Sequence, residues 1–308
     1  MADELFDGSL DSKMDFLNDQ KKVNNDGIYR VDLSKAKDKK WKSVIRFLPN
    51  LTTEGKLGQS AIEKITHYVD IKNPRELSGW FDSPKNFDQK CPLTDLYYTM
   101  KNSKNAILVE KADQLKYSKK YYSYILVLED DQQPELVGKI MILQYGKTIR
   151  EKILSEKNGE IGNPCNVFDL EKGKDFVMLV KEIQTGDITY PDYKASAFKS
   201  ETSSLPIFKS GKFKNVPLVD GKIEPKYKPI IREFLLERDF NLEDFSPKPL
   251  TEEDQEKITE ITNFLTGKAS KSFEGKSSPS SDDFDFEDNF DSKSDSTEEE
   301  EDDFFADL

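Results

Sequence analysis

Residues 116–150, KYSKKYYSYILVLEDDQQPELVGKIMILQYGKTIR, decide the fold. Two apolar runs rich in β-formers, 121–128 and 140–145, flank a polar connection with Asp130-Asp131, Pro134 and Gly138. That pattern predicts a β-hairpin, with Asp130-Asp131 as turn residues. At its entry Lys116, Lys119 and Lys120 sit among Tyr117, Tyr121, Tyr122 and Tyr124. Ammonium groups can follow a phosphate backbone, and flat rings can stack on unpaired bases. The hairpin is therefore expected to be the working surface of a single-stranded nucleic-acid-binding protein. Side chains alternate along a strand, so Tyr122 and Tyr124 share a face and Tyr121 points the other way. At least one of these tyrosines is then a core residue.

Upstream of the hairpin the pattern has period two. Ile28–Leu33, Ser43–Leu48 (before Pro49) and Lys64–Ile71 read as strands, and residues 73–90, with Pro74, Gly79 and Pro84, as a loop. Arg46 lies inside an apolar run and is either a paired charge at a barrel rim or a phosphate contact. Residues 94–101, carrying Tyr97 and Tyr98, and 147–154 read as short helices. Further strands are expected at 138–145 and 176–183, and a Pro-interrupted loop at 188–198. Six or so short strands with few helices predict a mainly β fold with α, an OB-like, partly open Greek-key β-barrel. After residue 206 helices dominate: 229–238 is amphipathic, and Thr251 is placed to cap a helix over 252–265 that Gly267 ends.

The expected organisation is an N-terminal arm, 1–27, for partner contact or self-association; an OB-like core with appended helices, 28–268; and a disordered acidic tail, 269–308. The arm places Leu5, Phe6, Leu10, Met14 and Leu17 at roughly helical spacing. The tail mixes carboxylates with Phe284, Phe286, Phe290, Phe304, Phe305 and Leu308, too little apolar surface to offset the entropy of ordering.

Net charge is −13, which by itself argues against nucleic acid. Its distribution reverses the argument. Residues 274–308 hold 15 acidic and 2 basic side chains, whereas 28–200 hold 24 acidic and 29 basic. A mildly basic body precedes a strongly acidic tail. The acidic N-terminus has no apolar signal region, no run of 18 apolar residues exists, and two cysteines make no disulfide framework. An intracellular, reduced protein off the membrane is expected.

Catalytic patterns are sparse. A lone His67 makes no Ser-His-Asp arrangement, and no Gly-rich phosphate loop is present. The chain is expected not to be an enzyme. A structural zinc needs four N, S or carboxylate ligands. His67 and Cys91 are 24 residues apart, Thr94 stands where a second Cys would, and Cys165 is remote. Asp82, Asp88 or Asp95 would complete a poor site at best, so no cofactor or metal is expected.

The segments Val44–Pro49, Cys91-Pro92, YYSYILV at 121–127, Gly138-Lys139 and Tyr145-Gly146-Lys147 resemble, in order and spacing, the T-even-type phage single-stranded DNA-binding proteins, the helix-destabilising proteins. The resemblance covers about 28–200 and returns in the acidic tail ending Asp307-Leu308. It implies a core that binds single-stranded DNA, an N-terminal arm for cooperative self-association, and a tail for replication, helicase-loading and recombination proteins. It also implies a host-cytoplasm setting at replication forks. By position Tyr122 matches a DNA-facing Trp, and Tyr121, Tyr145, Tyr193 and Phe198 match aromatics. The family's zinc site of one His and three Cys is partly retained, in His67 and Cys91, and its basic N-terminal cluster is missing.

The expected DNA-contacting set is then Arg46, Tyr97, Tyr98, Lys116, Tyr117, Lys119, Lys120, Tyr121, Tyr122, Tyr124, Tyr145, Lys147, Arg150, Tyr193 and Phe198. Competing readings from other classes are an acidic protein-interaction adaptor without nucleic-acid binding, and a nuclease.

Overall fold

A computed structural model describes residues 27–267 apart from 53–55, 161, 186, 187, 210, 211 and 239, with backbone only at 116, 185, 188 and 209. The expected arm helix and the acidic tail therefore lie outside the described residues. In chain order the elements are β1 (Ile28–Tyr29), β2 (Lys40–Phe47), β3 (Ile62–Val69), β4 (Gly79–Asp82), α1 (Pro92–Lys101), α2 (Ala106–Ala112), β5 (Leu115–Asp130), β6 (Ile140–Tyr145), α3 (Lys147–Asn158), β7 (Asp175–Thr185), β8 (Ile188–Asp192), β9 (Ala197–Phe198), β10 (Pro206–Lys209), β11 (Lys212–Asn215), β12 (Leu218–Val219), β13 (Lys222–Ile223), α4 (Lys228–Leu236) and α5 (Glu252–Thr266). They fall into two units. The larger takes its described residues from 1–64 and 119–246, the smaller from 65–118 and 247–306.

The larger unit is built on a sheet whose strands run β1-β6-β5-β2-β7-β8, with β9 added to β7. β1 is parallel to β6; the other pairs on this path are antiparallel. The hairpin is β5–β6, in the register Tyr121↔Tyr145, Tyr122↔Gln144 and Tyr124↔Ile142. Both faces of β5 are covered, which is why its sequence is a continuous apolar run rather than an alternation. Tyr121, Ile125 and Val127 pack with Trp41, Phe47, Met141 and Phe176 on one side. Tyr124, Leu126 and Leu128 pack with Val44, Ile142, Leu205, Ile231 and Leu235 on the other.

The turn follows from its side chains. Asp130 Oδ1 accepts the backbone N–H groups of Gln132 and Gln133, both at 2.9 Å, and its other oxygen accepts the Tyr29 hydroxyl. Burial and that carboxylate hold the Tyr29 phenol far above its usual range. Gly138 closes the connection with φ +87°, and a Cβ there would lie 2.8 Å from the Phe208 ring, so only glycine fits.

In the smaller unit, α1, α2 and α5 supply side chains to a cluster with Val69 of β3 and Phe81 of β4. Pro92 at the first position of α1 needs no N–H partner. At α5 the Thr251 hydroxyl accepts the Asp254 N–H at 3.1 Å, while the Asp254 carboxylate accepts the Thr251 N–H at 2.9 Å. Such a reciprocal cap stabilises a helix by about 1 kcal/mol. Gly267 ends α5 in the left-handed conformation.

The architecture is a mixed α/β structure with a large sheet and five helices among the described residues, more helical than the mainly β expectation. The two ends of the strand path, β1 and β8, are not paired with each other, so among the described residues no closed barrel forms. Several elements were not foreseen, among them β4, α2, β8 and β9, and the short strands β10–β13 in the region after 206 that was expected to be helical. β4 lies in the expected loop because four residues, GWFD, are too few to show a period. α2 is a seven-residue helix capped by the Asn105 side chain on Ile107 N–H at 3.0 Å. β8 and β9 replace the loop at 188–198, since both find hydrogen-bond partners on β7.

Candidate nucleic-acid interface

β5 places the expected residues, and pleating sorts them. Lys120, Tyr122 and Tyr124 point to one face, Lys119, Tyr121 and Ser123 to the other. The lysines are thus divided between two faces.

Four expected contacts are corrected by burial. Tyr121 is 5% exposed and Tyr145 4%; their rings stack at 5.7 Å and 26°, with the Arg150 guanidinium 5.1 Å over Tyr121. Burial, opposed by a 3.0 Å hydrogen bond with Ser123 Oγ, pushes the Tyr145 hydroxyl up to about 12. Tyr124 is fully buried; its hydroxyl donates to Phe240 O at 3.1 Å and accepts Leu242 N–H at 2.6 Å, and Arg238 lies 4.0 Å over its ring. Burial raises its pKa too. Arg46 is also buried, bonded to Asp175 at 3.0 Å and to Ser203 Oγ and O at 3.1 and 2.5 Å. These four groups hold the core together and present no face to a base or phosphate, because the sheet is covered on both sides.

Tyr122 is half-buried, and one face of its ring stacks on Phe245 at 5.0 Å and 25°. Lys120, on the same face of β5, is half-buried as well. Lys119 pairs with Glu63 at 3.1 Å. Lys147 and Arg150 lie in the first turn of α3, both half-buried. Tyr193 and Phe198 pack as half-buried rings against the first core cluster, Phe198 at 4.8 Å from Phe176.

Tyr97, Tyr98, Lys116 and Tyr117 belong to the smaller unit. Tyr97 and Tyr98 meet edge-to-face at 5.3 Å, Lys101 lies 5.9 Å over Tyr97, and Tyr98 is 44% exposed. Tyr117 is half-buried, 5.6 Å from the His67 ring. Of Lys116 the backbone lies in β5, and its side chain is outside the described set.

The residues of the partial zinc motif come together. His67 Nε2 lies 3.3 Å from Cys91 Sγ and 3.1 Å from Thr94 Oγ1, all buried. Burial raises the Cys91 thiol, but the contacts with His67, Ser83 and Thr94 outweigh it and bring it down to about 6. Among the described residues no group of three His, Cys, Asp or Glu side chains converges. One imidazole and one thiol with neutral hydroxyls do not meet the four-ligand requirement of zinc, so the residues present do not fit that metal.

Sequence reading missed Phe245 and Arg238. Phe245 comes from an irregular stretch and Arg238 from the end of the amphipathic run 229–238, and no local pattern marks either as a partner of Tyr122 or Tyr124. It also missed Trp80, the most exposed tryptophan. Its signal was available, a large aromatic beside Gly79 in a polar stretch.

Fold and site together define a class: a mixed α/β protein whose longest strand carries lysines and half-buried aromatics, with no helix long and apolar enough to cross a membrane among the described residues. The chain belongs to a DNA-binding family, the one described as gp32 DNA binding protein like, whose family model matches residues 39–262. It is similar to the single-stranded DNA-binding protein of Enterobacteria phage T4, 28% identical over 173 residues, 53% of this chain. Those residues are 52% of the relative, so the chain spans about half the length of the curated protein it matches.

Proposed function

We propose that the chain is a non-enzymatic, sequence-tolerant single-stranded DNA-binding protein that coats unpaired strands during phage DNA replication, recombination and repair. The observation that carries this reading is the family match across 39–262. The similarity to the single-stranded DNA-binding protein of phage T4 supports it. Tyr122 and Lys120 on one face of β5, with Lys147 and Arg150 at the start of α3, are the strongest remaining contacts in the larger unit. Tyr98, Tyr97, Tyr117 and Lys116 are those of the smaller unit, and Lys119, Tyr193 and Phe198 are peripheral. We read the sheet as an opened relative of the oligonucleotide-binding Greek-key barrel. No metal is needed, because packing around His67, Cys91 and Thr94 holds the loop.

The arm at 1–27 would serve self-association along DNA. The tail at 269–308 would recruit replication, helicase-loading and recombination proteins in the host cytoplasm.

Anisotropy of a labelled oligo-dT at two salt concentrations tests the core of this reading. Saturable binding that weakens as salt rises is expected, with log K against log salt falling by about 0.7 per phosphate neutralised on a single strand. Absence of binding at low salt would leave the acidic-adaptor reading, and cleavage of the strand with added Mg²⁺ would favour a nuclease.

A further inference from the structure

Trp80 is 67% exposed although it sits in a regular strand. β4 pairs with β3 in the register Thr66↔Asp82, His67↔Phe81, Tyr68↔Trp80 and Val69↔Gly79. Alternation sends His67, Val69 and Phe81 inward, where all three are buried. It sends Thr66, Tyr68, Trp80 and Asp82 to the opposite face. On that face the Tyr68 and Trp80 rings lie 4.7 Å apart at 32°, a cross-strand pair that forms a continuous aromatic shelf. Among the described residues, Tyr68 is the ring recorded against the indole.

The chemistry beside the shelf is polar and partly cationic. Tyr68 also lines a shallow pocket with Asp70, Ile71, Lys72, Arg75 and Ser78. Lys72 and Arg75 are both exposed, against one carboxylate, Asp70, in the same lining. Protein interfaces place an exposed Trp at the centre of an apolar patch ringed by polar groups. Here the same-face neighbours of the ring pair are Thr66 and Asp82. An aromatic shelf with adjacent cations instead matches an unpaired nucleotide, whose base stacks and whose phosphate takes the positive charge.

We propose that Tyr68 and Trp80 form a base-stacking platform in the smaller unit, with Lys72 and Arg75 receiving the flanking phosphate. The proposal rests on the single-strand-binding reading above. It extends that reading to a second unit and to residues outside the β5 hairpin. The ligand is one unpaired base with its phosphate, and since every base offers a π-face, little base preference follows.

The chain supplies its own reporter. Of its two tryptophans, Trp41 is 2% exposed in the core and donates its indole N–H to Tyr29 at 3.2 Å, whereas Trp80 faces solvent. In the full-length chain, anisotropy of labelled oligo-dT measures binding, and tryptophan emission measures the platform. Binding is expected to quench the emission, and Trp41→Phe is expected to keep the quench. Trp80→Ala should weaken binding about tenfold, about 1.4 kcal/mol and within the range for one stacked base. The salt slope should stay unchanged, and Trp80→Phe should recover most of the affinity. Lys72→Ala should instead flatten the slope by about 0.7. If oligo-dT binds by anisotropy but Trp80→Ala binds equally well and the emission does not respond, the platform is overturned and the function stands. If the unaltered chain gives no anisotropy change, the single-strand reading falls and the platform falls with it.

Discussion

Arg46→Ala separates a structural charge from a DNA contact. The Arg46 side chain is 1% exposed, and its guanidinium makes four contacts: Asp175 Oδ1 at 3.0 Å, Ser203 Oγ at 3.1 Å, Ser203 O at 2.5 Å and Asp169 O at 3.5 Å. Gly173 makes room for it, since a Cβ at that position would lie 2.8 Å from Nη2. Breaking a buried pair by deleting one partner costs about 3–5 kcal/mol, because the other charge is left uncompensated. Asp175 retains Lys199 at 3.2 Å and is 16% exposed, so the lower end applies, about 3 kcal/mol. For a unit of this size each kcal/mol moves Tm by roughly 2–4 °C, giving a fall of about 6–12 °C. Arg46→Lys should recover part of this, since an ammonium keeps the charge but not the planar fork. The assay is a circular-dichroism melt beside the oligo-dT titration. On this reasoning the melt falls and, at temperatures where the variant is folded, the salt slope of binding does not change. An unaltered melt with a slope reduced by about 0.7 would refute it, since that is the signature of a lost phosphate contact.

Tyr122→Ala should reduce oligo-dT affinity by about 1–3 kcal/mol, as for one stacked base, with no change in salt slope; Phe245→Ala should strengthen binding if Phe245 competes with a base for that ring, and isothermal titration distinguishes the two. Burial raises the phenol pKa of Tyr29, Tyr124 and Tyr145 above the usual value, Tyr145 to about 12. The unfolded chain then ionises first, so the stability due to Tyr145 is complete below pH 10 and is lost as pH rises through about 12, visible as a falling guanidinium midpoint. Prolonged EDTA dialysis should leave the melt unchanged, and a drop of several degrees would show that a metal is bound near His67 and Cys91. We propose that the tail occupies the DNA surface when no strand is present; truncation before Glu274 should then tighten oligo-dT binding, and an unchanged affinity and salt slope would sink that idea.

Much of the architecture is legible in the chain because it is local. The hairpin of β5 and β6 follows from two β-rich runs and the Asp130 turn, and α5 from Thr251, Asp254 and Gly267, each acting over a few residues. The opposition of Tyr121 to Tyr122 and Tyr124 follows from pleating alone. The charge division between body and tail is composition. Family likeness is also legible, since the resemblance read from short collinear motifs agrees with the family model over 39–262.

What tertiary structure decided is which side of each strand meets solvent. Tyr121 and Tyr122 are adjacent and chemically alike, yet one stacks in the core on Tyr145 and the other, half-buried, lies against Phe245. Arg46 is neutralised by Asp175, which is 129 residues away, and Tyr124 is anchored to Phe240, which is 116 residues away. Trp80 is 67% exposed in a strand, a fact no four-residue period can carry. Alternation is a property of one strand's backbone, whereas burial depends on partners brought from elsewhere in the chain. A sequence thus announces that two faces exist and leaves their assignment to the packing.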